Sequence, residues 1–134
     1  MSNPAALFPG HAFILYVKNS GGAVKPLGGF SDSVGLLNKL QSFHNVGDVT
    51  MKRGIVNSGG LSEWISAVGA KAVTARREVI VTQRGVGNIP LKSWKLTNAV
   101  PRKYVGPSLG GNSNDVALEE LVLSTERIEL IPPH

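Results

Sequence analysis

The sequence contains no cysteine among its 134 residues, which rules out disulfides and thiolate-held metal centres. It has little charge, 17% of residues against 42% hydrophobic, a balance that excludes a disordered chain. Long hydrophobic runs are also missing. The N-terminal apolar stretch Ala12–Val17 is far too short to cross a bilayer, Lys18 closes it, and no basic segment precedes it. Neither a signal peptide nor a membrane span is expected, and synthesis is expected in the cytoplasm. The three histidines, His11, His44 and His134, are scattered, and none stands at metal-ligand spacing to another histidine or to a carboxylate pair, so no metal site is expected.

Glycine and proline are abundant, 16 and 8 residues, which points to many turns and to β structure. The length fits one domain over 1–134. The net charge of +5 suits nucleic acid, an acidic partner or plain solubility, and does not choose among them.

Along the chain, HAFILYV before Asn19–Gly22 has strand length and consecutive apolar side chains, which predicts burial on both faces. The next segment, through Phe30, is interrupted by Pro26 and two glycines and reads as at best an edge strand. Leu36, Leu37, Leu40 and Phe43 lie at helical spacing, yet Gly35 leaves helix and packed loop equally open. VGDVTMKRGIV alternates as a half-buried strand ending near Arg53-Gly54. Asn57–Gly60 interrupts the chain. Leu61, Trp64, Ile65 and Val68 then follow the i, i+3, i+4, i+7 pattern of a short amphipathic helix ended at Gly69, with Trp64, Ile65 and Val68 expected in the core. Arg76–Gln83 and LKSWKLTNAV, joined by the turn RGVGNIP, predict a hairpin, with Trp94 in the core. Val116–Leu130 fits either a helix capped by Asn114 or Asp115, or a strand. As a strand, Val116 and Leu118 share one face and Leu121 and Leu123 the other, and the phase flips at Glu119-Glu120, as a β-bulge would produce.

Catalytic signatures are missing. Gly85-Val86-Gly87 offers only GxG inside a predicted hairpin, where a dinucleotide loop needs a following helix. Asn57–Gly60 precedes a helix but lacks the lysine and hydroxyl ending of a phosphate loop. Adjacent Glu119 and Glu120 point to opposite faces of a strand and cannot cooperate as acid and base. No cofactor is expected. The basic residues Arg76, Arg77, Arg84, Lys92, Lys95, Arg102 and Lys103, with Trp94 and Tyr104 among them, fit a nucleic-acid surface or, more simply, solvated strand faces over two core aromatics.

The order of the pieces carries more than any one of them. KRG at Lys52–Gly54, EW at Glu63-Trp64, and RR at Arg76-Arg77 before a β-branched strand are followed by Trp94, NAVP at Asn98–Pro101 and SNDVALEELVLSTERI from Ser113. Over residues 46–131 this order resembles the tail tube (inner tube) protein family of contractile phages and phage-tail-like contractile injection systems. The resemblance extends loosely to the N-terminal strand and GFSDSVGL at Gly29–Leu36. It implies a mainly β fold in which two antiparallel sheets pack into a barrel-like sandwich with one short flanking α-helix. It also implies a non-enzymatic subunit of homo-hexameric, stacked rings around a channel for DNA or protein cargo, with sheath, baseplate or cap proteins as partners. Val116–Leu130 then reads as a strand that also packs against neighbouring subunits. The residues expected at subunit contacts are Phe30, Val34, Leu36, Leu37, Leu40, Phe43, Val116, Leu118, Leu121 and Leu123. The family's longer charged insertion is reduced here to Leu37–Val46, which points to ring contacts of another kind or to a specialised initiator or terminator ring. A small basic β-domain that binds nucleic acid is the alternative of a different class.

Overall fold

The computed structural model describes residues 8–19, 22–36, 47–72, 75–106 and 115–133. In chain order these form strands β1 (Phe13–Lys18), β2 (Val24–Val34) and β3 (Gly47–Asn57), helix α1 (Ser58–Gly69), and strands β4 (Arg77–Arg84), β5 (Pro90–Val105), β6 (Asp115–Thr125) and β7 (Arg127–Ile131). The strands form one seven-stranded sheet in the order β4-β1-β2-β3-β6-β5-β7, and β4 pairs with β5 as well. Every pairing is antiparallel. The fold is therefore mainly β and barrel-like with one helix, as expected. Its hydrogen bonding, however, runs around a single closed ladder and is not divided between two sheets. The β4–β5 pairing closes the ring β4-β1-β2-β3-β6-β5, and β7 adds to β5.

β1 lies between β2 and β4 in the wall and is buried on both faces, each by its own apolar cluster. Leu15 and Val17 enter the main core, while Ile14 and Tyr16 meet Ile80 in a second cluster against which Phe8 and Ile131 pack. β2 is eleven residues long and is flanked on both sides only at Gly28–Phe30. Val24–Pro26 pair with β1 alone, so the Pro26 segment is one-sided, as expected of an edge, while the residues after Phe30 pair with β3 alone. Pro26 lies in this one-sided part, beside the shift in the β1–β2 register between Leu15 and Tyr16, a position at which a strand tolerates proline.

β3 continues past Arg53-Gly54 to Asn57. Arg53 takes a left-handed φ of 51°, uncommon for a side chain of that size. Inward positions are Val49 and Met51 before it and Val56 after it, so the alternation turns over at Arg53. β6 turns over in step. Leu118 faces the core on one side of Glu119-Glu120, and Leu121 and Leu123 face the same core on the other. The register Gly54↔Leu118, Met51↔Leu121 stays constant across this point. The phase flip read from the sequence is real, but no bulge produces it, because both strands rotate together. The break in the strand comes later, at Glu126. There the Glu126 amide donates to the Thr97 carbonyl at 3.1 Å, and the Thr125 hydroxyl donates to the same oxygen at 2.9 Å.

Asn57–Gly60 is the helix entry: the Asn57 side chain accepts from the Gly60 amide at 2.7 Å, the usual role of an N-cap asparagine. Leu61 and Trp64 enter the main core, Ile65 packs against it, and Val68 is half-buried. At the other end Gly69 remains helical, and the left-handed capping position falls on Lys71, at φ 57°. The Lys71 amide donates to the Val68 carbonyl and the Ala72 amide to the Ala67 carbonyl, both at 3.0 Å, which is a Schellman ending built without glycine.

Candidate functional site

Part of the sheet extends beyond the closed wall. β2 pairs with β1 only as far as Phe30, then continues on β3 through Asp32↔Lys52 to Val34↔Thr50. On the other side β5 leaves β4 after Ala99 and continues on β6 from Val100↔Ser124 to Val105↔Glu120. The result is a four-stranded panel, β2-β3-β6-β5. Its outer edges, Ser31–Val34 and Arg102–Val105, have no ladder partner among the described residues. Such edges are templates for another chain. Apolar side chains mark both of them: Val34 is 54% exposed on one edge, and Tyr104 and Val105 are 40% and 41% exposed on the other.

The two faces of the panel differ. Val49, Met51, Leu121 and Leu123 belong to the core. Asp48, Thr50, Arg102, Lys103, Glu120 and Val122 line a shallow hollow on the opposite face. Its charges are paired in the chain: Arg102 with Asp48, and Lys103 with Glu120 at 3.6 Å.

Two of the sequence motifs meet beside α1. Glu63 receives two hydrogen bonds from Arg77, at 3.0 and 2.7 Å. Arg77 also lies over the Trp64 ring, 5.9 Å from its centre, and the Trp64 indole donates to the Ala75 carbonyl at 2.7 Å. The Arg77 hydrogen bonds hold the Glu63 carboxyl below its ordinary value. KRG has an equally local explanation: a side chain on Gly54 would run into the Phe30 ring and the Gly29 carbonyl. In NAVP, Asn98 takes a φ of 53°, which asparagine tolerates, and its side chain donates to Glu126 of the STERI motif.

The structure separates the residues expected at subunit contacts. Phe30, Leu118, Leu121 and Leu123 are at most 2% exposed, so these side chains are core and not surface; in β6 the phase flip turns both halves of the strand inward. Leu36 and Val116 are partly buried against that core, and Val34 is exposed. Leu37, Leu40 and Phe43 lie outside the described residues. Tyr104 and Val105 were not expected there; the signal was an aromatic and a valine among the basic residues of PRKYV.

Most of the basic series is already engaged. Arg77, Arg102 and Lys103 are paired as above, and Lys95 meets Glu129 at 3.3 Å. Arg84 donates to the carbonyls of Phe8 and His11 at 2.6 and 2.9 Å. Burial pushes Arg84 down and Tyr16 up, each opposed by the other. Trp94 is core. No cluster able to hold a metal ion occurs among the described residues, and none of their helices is long and apolar enough to cross a membrane.

Comparison with known proteins places this geometry. The family described as "T4-like virus tail tube protein gp19" matches residues 37–129. Among solved structures, a chain of the anti-feeding prophage baseplate aligns at TM-score 0.60 and 19% identity, over 98% of this chain and 97% of that one. A chain of the sheath-tube complex of an extracellular contractile injection system aligns at 0.55 and 18%, covering 95% and 94%. A chain of that system's sheath/tube terminator aligns at 0.55 and 18%, covering 93% and 96%. None of the curated proteins matches.

Proposed function

The chain belongs to the T4-like virus tail tube protein gp19 family, and from that premise we propose that it is a ring-forming subunit of a tail tube. Membership makes it a structural tube protein and not an enzyme. The observation that carries the ring is the pair of edges on one panel that no described strand covers. β2 and β5 stand at opposite ends of a four-stranded antiparallel order, so they run in opposite directions. Arg102–Val105 of one copy can therefore extend Ser31–Val34 of the next and keep the sheet antiparallel. A contact between two different patches of the same molecule is heterologous, and it closes into a ring when the rotation allows. Six copies are the number that the resemblance implies.

In such a ring the core face of each panel is covered by its own barrel, which leaves the face with Asp48, Thr50, Glu120 and Val122 toward the channel. The paired charges there present a balanced wall to DNA or protein cargo. Sheath, baseplate or cap proteins would meet the outside of the ring, and the particle is a phage tail or an injection system. The short Leu37–Val46 segment favours a second reading, a specialised ring at the tube's start or end. Electron microscopy of the purified protein tests the proposal: rings or tubes are expected, and featureless monomers at high concentration would refute it.

A further inference from the structure

The β4–β5 turn is an uncharged apolar knuckle that the described residues leave uncovered. Val86, Ile89 and Leu91 are 96%, 62% and 55% exposed, although the turn itself is ordered by hydrogen bonds between Gly85 and both Ile89 and Asn88 at 2.9 and 3.1 Å. An ordered turn that exposes three large apolar side chains is shaped to be covered. At the other end of the same two strands lies a hollow of about 530 Å³ lined by Val68, Lys71, Ala72, Ala75, Arg76 and Val100. Its walls are mostly apolar, and its two charged groups are cations. Those cations suit a turn whose polar surface is peptide carbonyl and which brings no cation of its own.

We infer that the Val86–Leu91 knuckle of one copy seats in the Val68/Ala72/Val100 hollow of a second copy, and that this is the contact that stacks one ring on the next. The placement of the two features selects the occupant. They sit at opposite ends of β4, about 25 Å apart for a strand of this length, so head-to-tail copies repeat the contact indefinitely. The direction differs from ring closure: edge pairing propagates across strands, whereas this contact propagates along them. One small contact is weak, but a ring presents a full circle of them at once, and linkage within the ring makes them act together. The contact also uses none of Leu37–Val46.

The inference rests on the ring reading, and the experiment distinguishes the two. The chain has no cysteine, so single cysteines report unambiguously. Val86→Cys and Ala72→Cys proteins, mixed in full-length form and oxidised, are expected to form a disulfide between unlike copies, and each alone is expected to form little. Separately, the Val86→Ser/Ile89→Ser double variant is expected to give single rings where the unchanged protein gives stacks, with an unchanged circular dichroism spectrum. Stacks of normal length from the double variant, or stacked rings without the mixed disulfide, overturn this inference and leave the ring reading standing. Unchanged protein that forms no rings overturns both.

Discussion

Arg77 on β4 grips Glu63 on α1 with two hydrogen bonds, at 3.0 and 2.7 Å, while its guanidinium covers the Trp64 ring. The Arg77 side chain is 5% exposed and that of Glu63 is 58%. The pair therefore joins a buried cation to a carboxylate at the surface. Arg77→Ala removes the ion pair and the ring contact together and is expected to cost about 1–3 kcal/mol, measured by chemical denaturation.

The same pair predicts an acid dependence. Glu63 titrates below its ordinary value of 4.5 in the folded protein, chiefly because of the Arg77 hydrogen bonds. A depressed carboxyl contributes stability that is present above 4.5 and is lost as the pH falls through the folded value. The Glu63→Gln protein should show a shallower loss of stability below that pH than the unchanged protein. Parallel stability curves through the acid range would contradict the prediction.

Trp64 fills the core beneath the helix and is fully buried. Trp64→Ala is expected to cost about 3–5 kcal/mol. A loss under about 1 kcal/mol in urea unfolding would place the ring elsewhere.

Leu121→Ser and Leu123→Ser should both unfold or strongly destabilise the subunit, because both side chains are core; truncating buried leucine costs about 2–5 kcal/mol. Val34→Lys should instead leave a folded monomer, within about 0.5 kcal/mol of the unchanged protein, that no longer closes rings, since a lysine on a strand edge blocks pairing. Thermal melting and size-exclusion chromatography together separate the two outcomes.

Affinity of the isolated subunit for duplex DNA is expected to be weak, independent of sequence and abolished by modest salt, because Arg77, Lys95, Arg102, Lys103 and Arg127 are already paired with carboxylates of the chain. Titration of labelled DNA at two salt concentrations checks this. Sequence-selective binding at physiological salt would favour the nucleic-acid module.

The legible parts of this fold were those with strong local signals. The spacing of Leu61, Trp64 and Ile65 marked the helix, the β-branched run after Arg76 marked β4, and the alternation around Trp94 marked the hairpin. β2 was legible at Pro26, which pairs with β1 alone, but its two-sided stretch Gly28–Phe30 and its continuation to Val34 come from pairing with β3, which no local signal carries. Leu118, Leu121 and Leu123, expected at subunit contacts, are core, and the reason was not legible in their own strand. The residue that accompanies the flip, Arg53, lies on the neighbouring strand, where single-strand periodicity cannot register it. The panel edges were legible only in part. Val34 stood out as apolar, but an edge is defined by the strand that is missing beside it.

The corner of β5 has a mechanical consequence. Thr97 and Asn98 are tied to Thr125, Glu126 and the start of β7 just where β5 passes from the barrel wall into the panel. The bend is thus a braced joint and not a hinge. In the proposed ring, a load applied at Val105 by a neighbouring subunit would pass into the barrel through ladders held in shear along β6 and β7.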